Sequence, residues 1–157
     1  MKQISLNQIE DFLKSDTFVL FGVSQVKQKF GNIILRELSS KGIRVFPIHK
    51  ELEEVEEIKC YQQLSELPEK VEAAIICTRP EKTDLILGEL KTFGIRNIWL
   101  QQGASNQQIY EKAVLDFDNV VYDRCILMFA KQKGVHKFHA TISKFFGSFP
   151  KRTSVVK

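Results

Sequence analysis

The chain has no apolar run that approaches the roughly 20 residues a membrane-spanning helix needs, so its hydrophobic residues, 43% of the total, are distributed for a core. Cysteine is scarce: Cys60, Cys77 and Cys125 are odd in number, widely spaced and form no CxxC pair. That argues against both a disulfide framework and a zinc knuckle. Glycine and proline are few, eight and four in 157 residues, which sets aside collagen-like and low-complexity compositions. The start of the chain, MKQISLNQIEDF, carries Glu10 and Asp11 where a secretory signal would need its apolar stretch, so a cytoplasmic location is expected. Acidic residues are missing altogether from 124–157, where eight Lys/Arg stand; residues 1–123 hold 15 basic and 19 acidic side chains, a net of −4 against +4 for the whole chain. A cationic segment of this kind suits an acidic protein partner, a phosphorylated ligand or nucleic acid, or it is a solvated helix face.

What is present is one domain's worth of chain with alternating signals. Ser5 and Gln8 have the capping-box order around Leu6, Ile9, Phe12 and Leu13, whose spacing predicts a short first helix ending near Asp16. Residues 17–23, TFVLFGV, read as a central strand covered on both faces. Asn32 is expected to cap a helix through Ile33, Ile34, Leu35 and Leu38 that stops at Lys41 and Gly42. IRVFPI, 43–48, is the second strand. ELEEVEE, 51–57, holds five Glu with no paired basic spacing and reads as a solvated loop or exposed turn. Leu64, Leu67 and Pro68 suggest a helical turn before AAIICT, 73–78, the third strand. Pro80 fits the first turn of the next helix, with Leu85, Ile86, Leu87 and Leu90 as its buried side and Phe93-Gly94 as its exit. NIWL, 97–100, is the fourth strand, 106–117 a further helix, and VVY, 120–122, the fifth strand. Phe138, Ile142, Phe145 and Phe146 predict a basic amphipathic helix with Lys137 and Lys144. It is expected to pack on the domain or across a homodimer rather than enter a membrane surface.

Strands alternating with helices predict a Rossmann-like α/β fold: a doubly wound three-layer sandwich over 1–128, with a five-stranded parallel sheet of order 3-2-1-4-5 and a C-terminal helical extension at 129–157. A ligand then binds beyond the C-terminal ends of the strands, where the winding reverses between strands 1 and 4.

After strand 1 the loop runs Gly22-Val23-Ser24-Gln25-Val26-Lys27-Gln28-Lys29-Phe30-Gly31-Asn32 into the helix. Gly22 allows a tight turn, Gly31 lets backbone approach a ligand, and the amides from Asn32 onward, with the helix dipole, favour a phosphate. A side chain added at Gly31 is therefore expected to block a ligand without unfolding the domain. The pattern is not GxGxxG, and glycines that only satisfy backbone angles would leave the same trace. Strand 2 ends in Pro47-Ile48-His49-Lys50, without the acid that NAD enzymes place on the ribose. A cation and an imidazole donor suit an extra phosphate, as on NADP or the 3′-phosphate of coenzyme A. Lys27 and Lys29 would add charge to the same pocket.

At this point the chain resembles a known family. The resembling residues are 19–32, Val45-Phe46-Pro47-Ile48-His49, Ile58-Lys59-Cys60-Tyr61 with Leu64 and Leu67-Pro68, Thr78-Arg79-Pro80-Glu81, Ile98-Trp99-Leu100-Gln101-Gln102-Gly103 and Val121-Tyr122-Asp123-Arg124-Cys125, together covering about 15–128. They are similar to the small stand-alone coenzyme A-binding proteins, whose single domain looks like the CoA-binding domain of the succinyl-CoA synthetase α-subunit. The resemblance implies a nucleotide-binding protein that holds CoA or an acyl-CoA at the strand ends without catalysis of its own, because in the synthetases the chemistry comes from a phosphohistidine on a second domain. The chain departs from the family at His49, where Asn often stands, and at the Glu run, where the family has a small or Gly-rich segment.

The other strand ends read as follows. Thr78-Arg79-Pro80 brings a hydroxyl and a guanidinium to the cleft, where Arg79 bridges phosphates, stacks on adenine or merely caps a helix face. Gln101-Gln102-Gly103 suits a pantetheine or adenine edge, or a tight turn. Asp123 and Arg124 pair structurally, or Arg124 reaches the ligand; Cys125 beside it is a reactive or an inert thiol. The histidines, His49, His136 and His139, assemble no catalytic set, and the last two share a helix face without a third metal ligand. The alternative function is an NADP- or NAD-binding oxidoreductase or redox sensor using the same cleft. Nucleic-acid binding is disfavoured by the lack of an ordered aromatic and basic platform.

Overall fold

Thr17–Phe21 (β1) is buried at every position. A strand reading TFVLF has no polar face to offer water, so it belongs inside a sheet covered on both sides. The structure, a computed structural model, describes residues 4–130. The expected C-terminal helix through Phe138, Ile142, Phe145 and Phe146, with His136, His139 and the basic tail, lies outside the described residues.

Arg44–Ile48 (β2) pairs in parallel with β1 and is followed by a two-stranded hairpin, Glu54–Val55 (β3) and Ile58–Lys59 (β4). On its other side β1 pairs with Ala73–Ile76 (β5), which pairs with Asn97–Gln101 (β6), which pairs with Asn119–Arg124 (β7), all in parallel. The sheet order is β2-β1-β5-β6-β7. The helices are Leu6–Leu13 (α1), Phe30–Ser40 (α2), Pro80–Phe93 (α3) and Gln107–Asp116 (α4). The crossovers run in opposite directions from β1, so right-handed connections put α2 on one face and α3 with α4 on the other.

The doubly wound fold is as expected, with one strand relocated. The expected order treated 73–78 as the outer third strand. In the structure the place beside β2 is held by a single parallel bridge, Ile48 to Tyr61, in which the Tyr61 amide donates to the Pro47 carbonyl and the His49 amide to the Tyr61 carbonyl, each at 2.9 Å. β5 therefore occupies the fourth place, against β1. Its sequence explains this: AAII is buried at all positions and has no side to show at an edge. The winding thus reverses between β1 and β5, not between β1 and the strand at 97–100.

Local signals set most helix ends. Ser5 and Gln8 form the capping box of α1, Pro80 opens α3, Gly94 closes it in the left-handed conformation at φ 94°, and Asn106 caps α4 by accepting from the Ile109 amide at 2.9 Å. Two expectations fail. α2 starts at Phe30 with Lys29 as N-cap, so Asn32 lies inside the first turn. Leu85, expected in the core, is 71% exposed; three successive residues, Leu85-Ile86-Leu87, span too wide an arc of helix to face one way, and Thr83, Leu87 and Leu90 are those buried. Under the sheet, fully buried Trp99 stands 5.2 Å from the Phe12 ring and 6.0 Å from Phe129, with its indole N–H donating to the Arg124 carbonyl at 2.9 Å. No helix among the described residues is long and apolar enough to cross a membrane.

Candidate functional site

A groove of about 470 Å³ opens at the C-terminal ends of β1, β2 and β5, at the winding reversal. Gly22, Val23, His49, Lys50 and Thr78 line it, so five of the residues expected from sequence come together. Phe21 and Ile48 add apolar floor, Glu51 and Gln62 come from the segment after β2, and α3 supplies a wall of Lys82, Leu85, Ile86 and Glu89. That wall follows i, i+3, i+4, i+7 spacing, and Leu85, expected in the core, belongs to it. The charged lining is balanced, Lys50 and Lys82 against Glu51 and Glu89.

The β1–α2 turn owes its shape to close backbone packing. Gly22 has a φ of 109°, and a Cβ there would lie 2.8 Å from the Cys77 carbonyl carbon and oxygen. A Cβ on Gly31 would lie 2.2 Å from the Gly22 carbonyl oxygen. Gly31 is thus a buried helical residue that lets α2 seat against the turn, not a surface position that admits a ligand, and the expectation that a side chain there leaves the fold intact is corrected. Asn32, 1% exposed, is no N-cap either. Its Oδ1 accepts from the Ser24 amide at 2.8 Å and its Nδ2 donates to the Ser24 carbonyl at 2.7 Å, clamping the loop across eight residues. The amides of Asn32 and Ile33 both donate to the Lys29 carbonyl. The first-turn amides without a partner among the described residues are those of Phe30 and Gly31, which precede the Asn32 amide expected to begin the phosphate site. Ser24, Lys27, Phe30, Gly31 and Asn32 do not line the groove, which meets this loop at Gly22 and Val23.

At the end of β2 the His49 ring is held by its own turn. Nδ1 accepts from the amides of Glu51 and Leu52 at 3.1 and 3.2 Å, so in the neutral ring Nε2 carries the hydrogen and remains a donor. Lys50 is exposed and has no ion-pair partner among the described residues. The Thr78 hydroxyl shares a 2.9 Å hydrogen bond with that of buried Thr83. Arg79 is the exposed N-cap of α3 and Pro80 its first residue, and neither lines the groove. The Glu run forms the exposed turn expected at Glu51, Glu53, Glu54 and Glu57, but not the unpaired one: Glu56, its side chain 13% exposed, pairs with Arg36 at 3.0 Å.

The ends of β6 and β7 do not join the groove. Gln101 is 3% exposed and its Oε1 accepts from the Ile126 amide at 3.2 Å, tying β6 to the turn at Ile126–Met128. Gly103 sits in an exposed turn with a φ of 82°. Arg124 donates to the Asp123 main-chain carbonyl at 3.2 Å, and no ion pair joins its guanidinium to the Asp123 carboxylate. Cys77, beneath the Gly22 turn, has its thiol pushed up to about 12 by burial, with the neighbouring Cys125 adding to the rise.

A doubly wound parallel sheet with a groove at its winding reversal defines a Rossmann-like α/β binding domain. The model of the family described as CoA binding domain matches residues 16–131, and the chain belongs to that family. The ADP-forming acetate–CoA ligase II of Archaeoglobus fulgidus is 21% identical over 136 residues; the match takes in 85% of this chain and 19% of the ligase, so the chain spans about a fifth of that relative. Among solved structures, a conserved hypothetical protein from Pyrococcus furiosus is 31% identical with a TM-score of 0.67, over 73% of this chain and 98% of that one. The dinucleotide-forming acetyl-coenzyme A synthetase 1 of Ca. Korarchaeum cryptofilum is 26% identical with a TM-score of 0.56, over 64% of this chain and 23% of that one.

Proposed function

We propose that this chain holds coenzyme A, free or acylated, in the groove at the ends of β1, β2 and β5, and performs no catalysis of its own. One observation carries the reading: the unpaired Lys50 and the free donor of His49 stand in one groove with the Gly22 turn. Membership of the CoA-binding family supports it. Lys50 meets a phosphate, His49 Nε2 a ribose hydroxyl or phosphate oxygen, and Val23, Ile48, Leu85 and Ile86 the apolar parts of the ligand. Within the lining, His49 Nδ1 accepts from two backbone amides and the Thr78 hydroxyl is hydrogen-bonded to Thr83, so these two do not form a free base beside a free nucleophile, which supports the reading. The ligase activity of the Archaeoglobus relative belongs to a protein more than four times as long.

Titration calorimetry with CoA, acetyl-CoA, NAD and NADP side by side tests this. Heats for CoA or acetyl-CoA that exceed those for both dinucleotides are expected. Saturable binding of NADP without CoA would replace the reading with a dinucleotide protein, and negligible heats for all four would remove it.

A further inference from the structure

The hairpin that follows β2 reaches back over α2. Its turn is made by Glu56 and Glu57, both in the left-handed region with φ of 52° and 61°, a conformation that ordinary side chains disfavour. From this turn the Glu56 carboxylate extends to two residues one helical turn apart on α2. Oε2 accepts from Arg36 at 3.0 Å, and Oε1 lies 3.5 Å from Asn32 Nδ2. Asn32 is the side chain that grips Ser24 through both its amide and its carbonyl. The chain of contacts therefore runs from hairpin to helix to the loop that continues Gly22 and Val23 along the groove.

We infer that Glu56 is a positioning residue for the β1–α2 loop: it fixes the orientation of the Asn32 amide, which in turn sets the Ser24 peptide and the loop beside the bound ligand. The inference rests on the reading of the groove as a CoA site, and it assigns part of the Glu run a task at that site. A buried amide with one free rotation keeps its pair of bonds to Ser24 only in one flip state, and a carboxylate beside Nδ2 selects that state.

Because both turn residues are left-handed, glycine at either relieves the same backbone, while only Glu56→Gly removes the strut. Two measurements follow: CoA affinity by calorimetry, and exchange of the Ser24 amide in ligand-free protein by NMR. Glu56→Gly is expected to lower CoA affinity on the order of tenfold, as for partial loss of one hydrogen bond to a charged group, and to speed Ser24 exchange. Glu57→Gly is expected to leave both within about twofold. Glu56→Gln, which keeps a carbonyl acceptor, should restore Ser24 protection and most of the affinity; it also serves if Glu56→Gly does not fold. Equal behaviour of Glu56→Gly and Glu57→Gly in both measurements would overturn the inference. If the parent protein binds no CoA, the functional reading falls, and Ser24 exchange alone decides the role of Glu56.

Discussion

β1, β2 and β5 end in residues that face a groove, whereas β6 and β7 end in residues that hold one another. On the second side, the Gln101 side chain accepts from the Ile126 amide, the Arg124 main-chain carbonyl accepts from the Trp99 indole, and the β6–β7 register shifts between Leu100 and Gln101. Both sides carry the polar and cationic residues that mark a ligand site in an open α/β sheet. Only those beside the reversal have neighbours that diverge and leave space, because crossovers to opposite faces part there. Residue type at a strand end thus says less than distance from the reversal.

The contrast can be broken in four ways. The largest effect is expected from Gly31→Val, which drives a side chain into the Gly22 carbonyl and should cost about 3 kcal/mol in urea unfolding. An unchanged midpoint would mean that the groove side is looser than its packing implies. On the other side, Gln101→Ala leaves the Ile126 amide unsatisfied and should cost about 1–2 kcal/mol of stability, with CoA affinity per folded molecule unaltered. A selective loss of CoA binding would place β6 at the ligand after all. Lys50→Ala should weaken CoA by about 1 kcal/mol at low salt, less as salt rises, while Lys27→Ala outside the groove should change it by only a few tenths. Reversal of that order would move the phosphate site into the loop.

The smallest effect, absent at neutral pH, concerns the thiols. Burial pushes Cys77 up to about 12 and Cys60 up to about 11 from 9.0. A pKa raised in the folded state gives stability that is whole below about pH 9 and is lost as pH climbs toward the folded values. Chemical unfolding between pH 8 and pH 11 should therefore fall less steeply for Cys77→Ala than for the parent. Parallel slopes would show that the Gly22 turn does not seal this thiol.

Much of the fold was legible because its strongest signals are local. TFVLF is buried at every position and reads as a central strand, AAII reads as a strand though not by itself as a central one, and Ser5, Pro80, Gly94 and Asn106 cap within a few residues of themselves. The misreadings share the opposite trait. Asn32 works on a residue eight positions earlier and Glu56 on one twenty positions earlier, distances at which no periodicity reports. The Tyr61 bridge is one residue long, too short to be read as a strand, so sequential counting shifted β5 outward. At the site, strand-end residues were found by topology, while the α3 wall was hidden because Leu85 looks like any core leucine in sequence.

The contact between Gly31, Gly22 and Cys77 also bears on how this chain can drift under mutation. Gly31 is hemmed by the Gly22 carbonyl, and Gly22 by the carbonyl group of Cys77 as well as its Cβ. Because main-chain atoms close both positions, no exchange of the Cys77 side chain can compensate for a residue larger than glycine at 22. Glycine at 22 and at 31 is therefore held whatever side chain stands at 77, while Lys27, Lys29 and Leu85 are exposed. New ligand preferences would therefore arise through the groove's own side chains, Lys50 and the α3 wall among them, with the turn itself passed on unaltered.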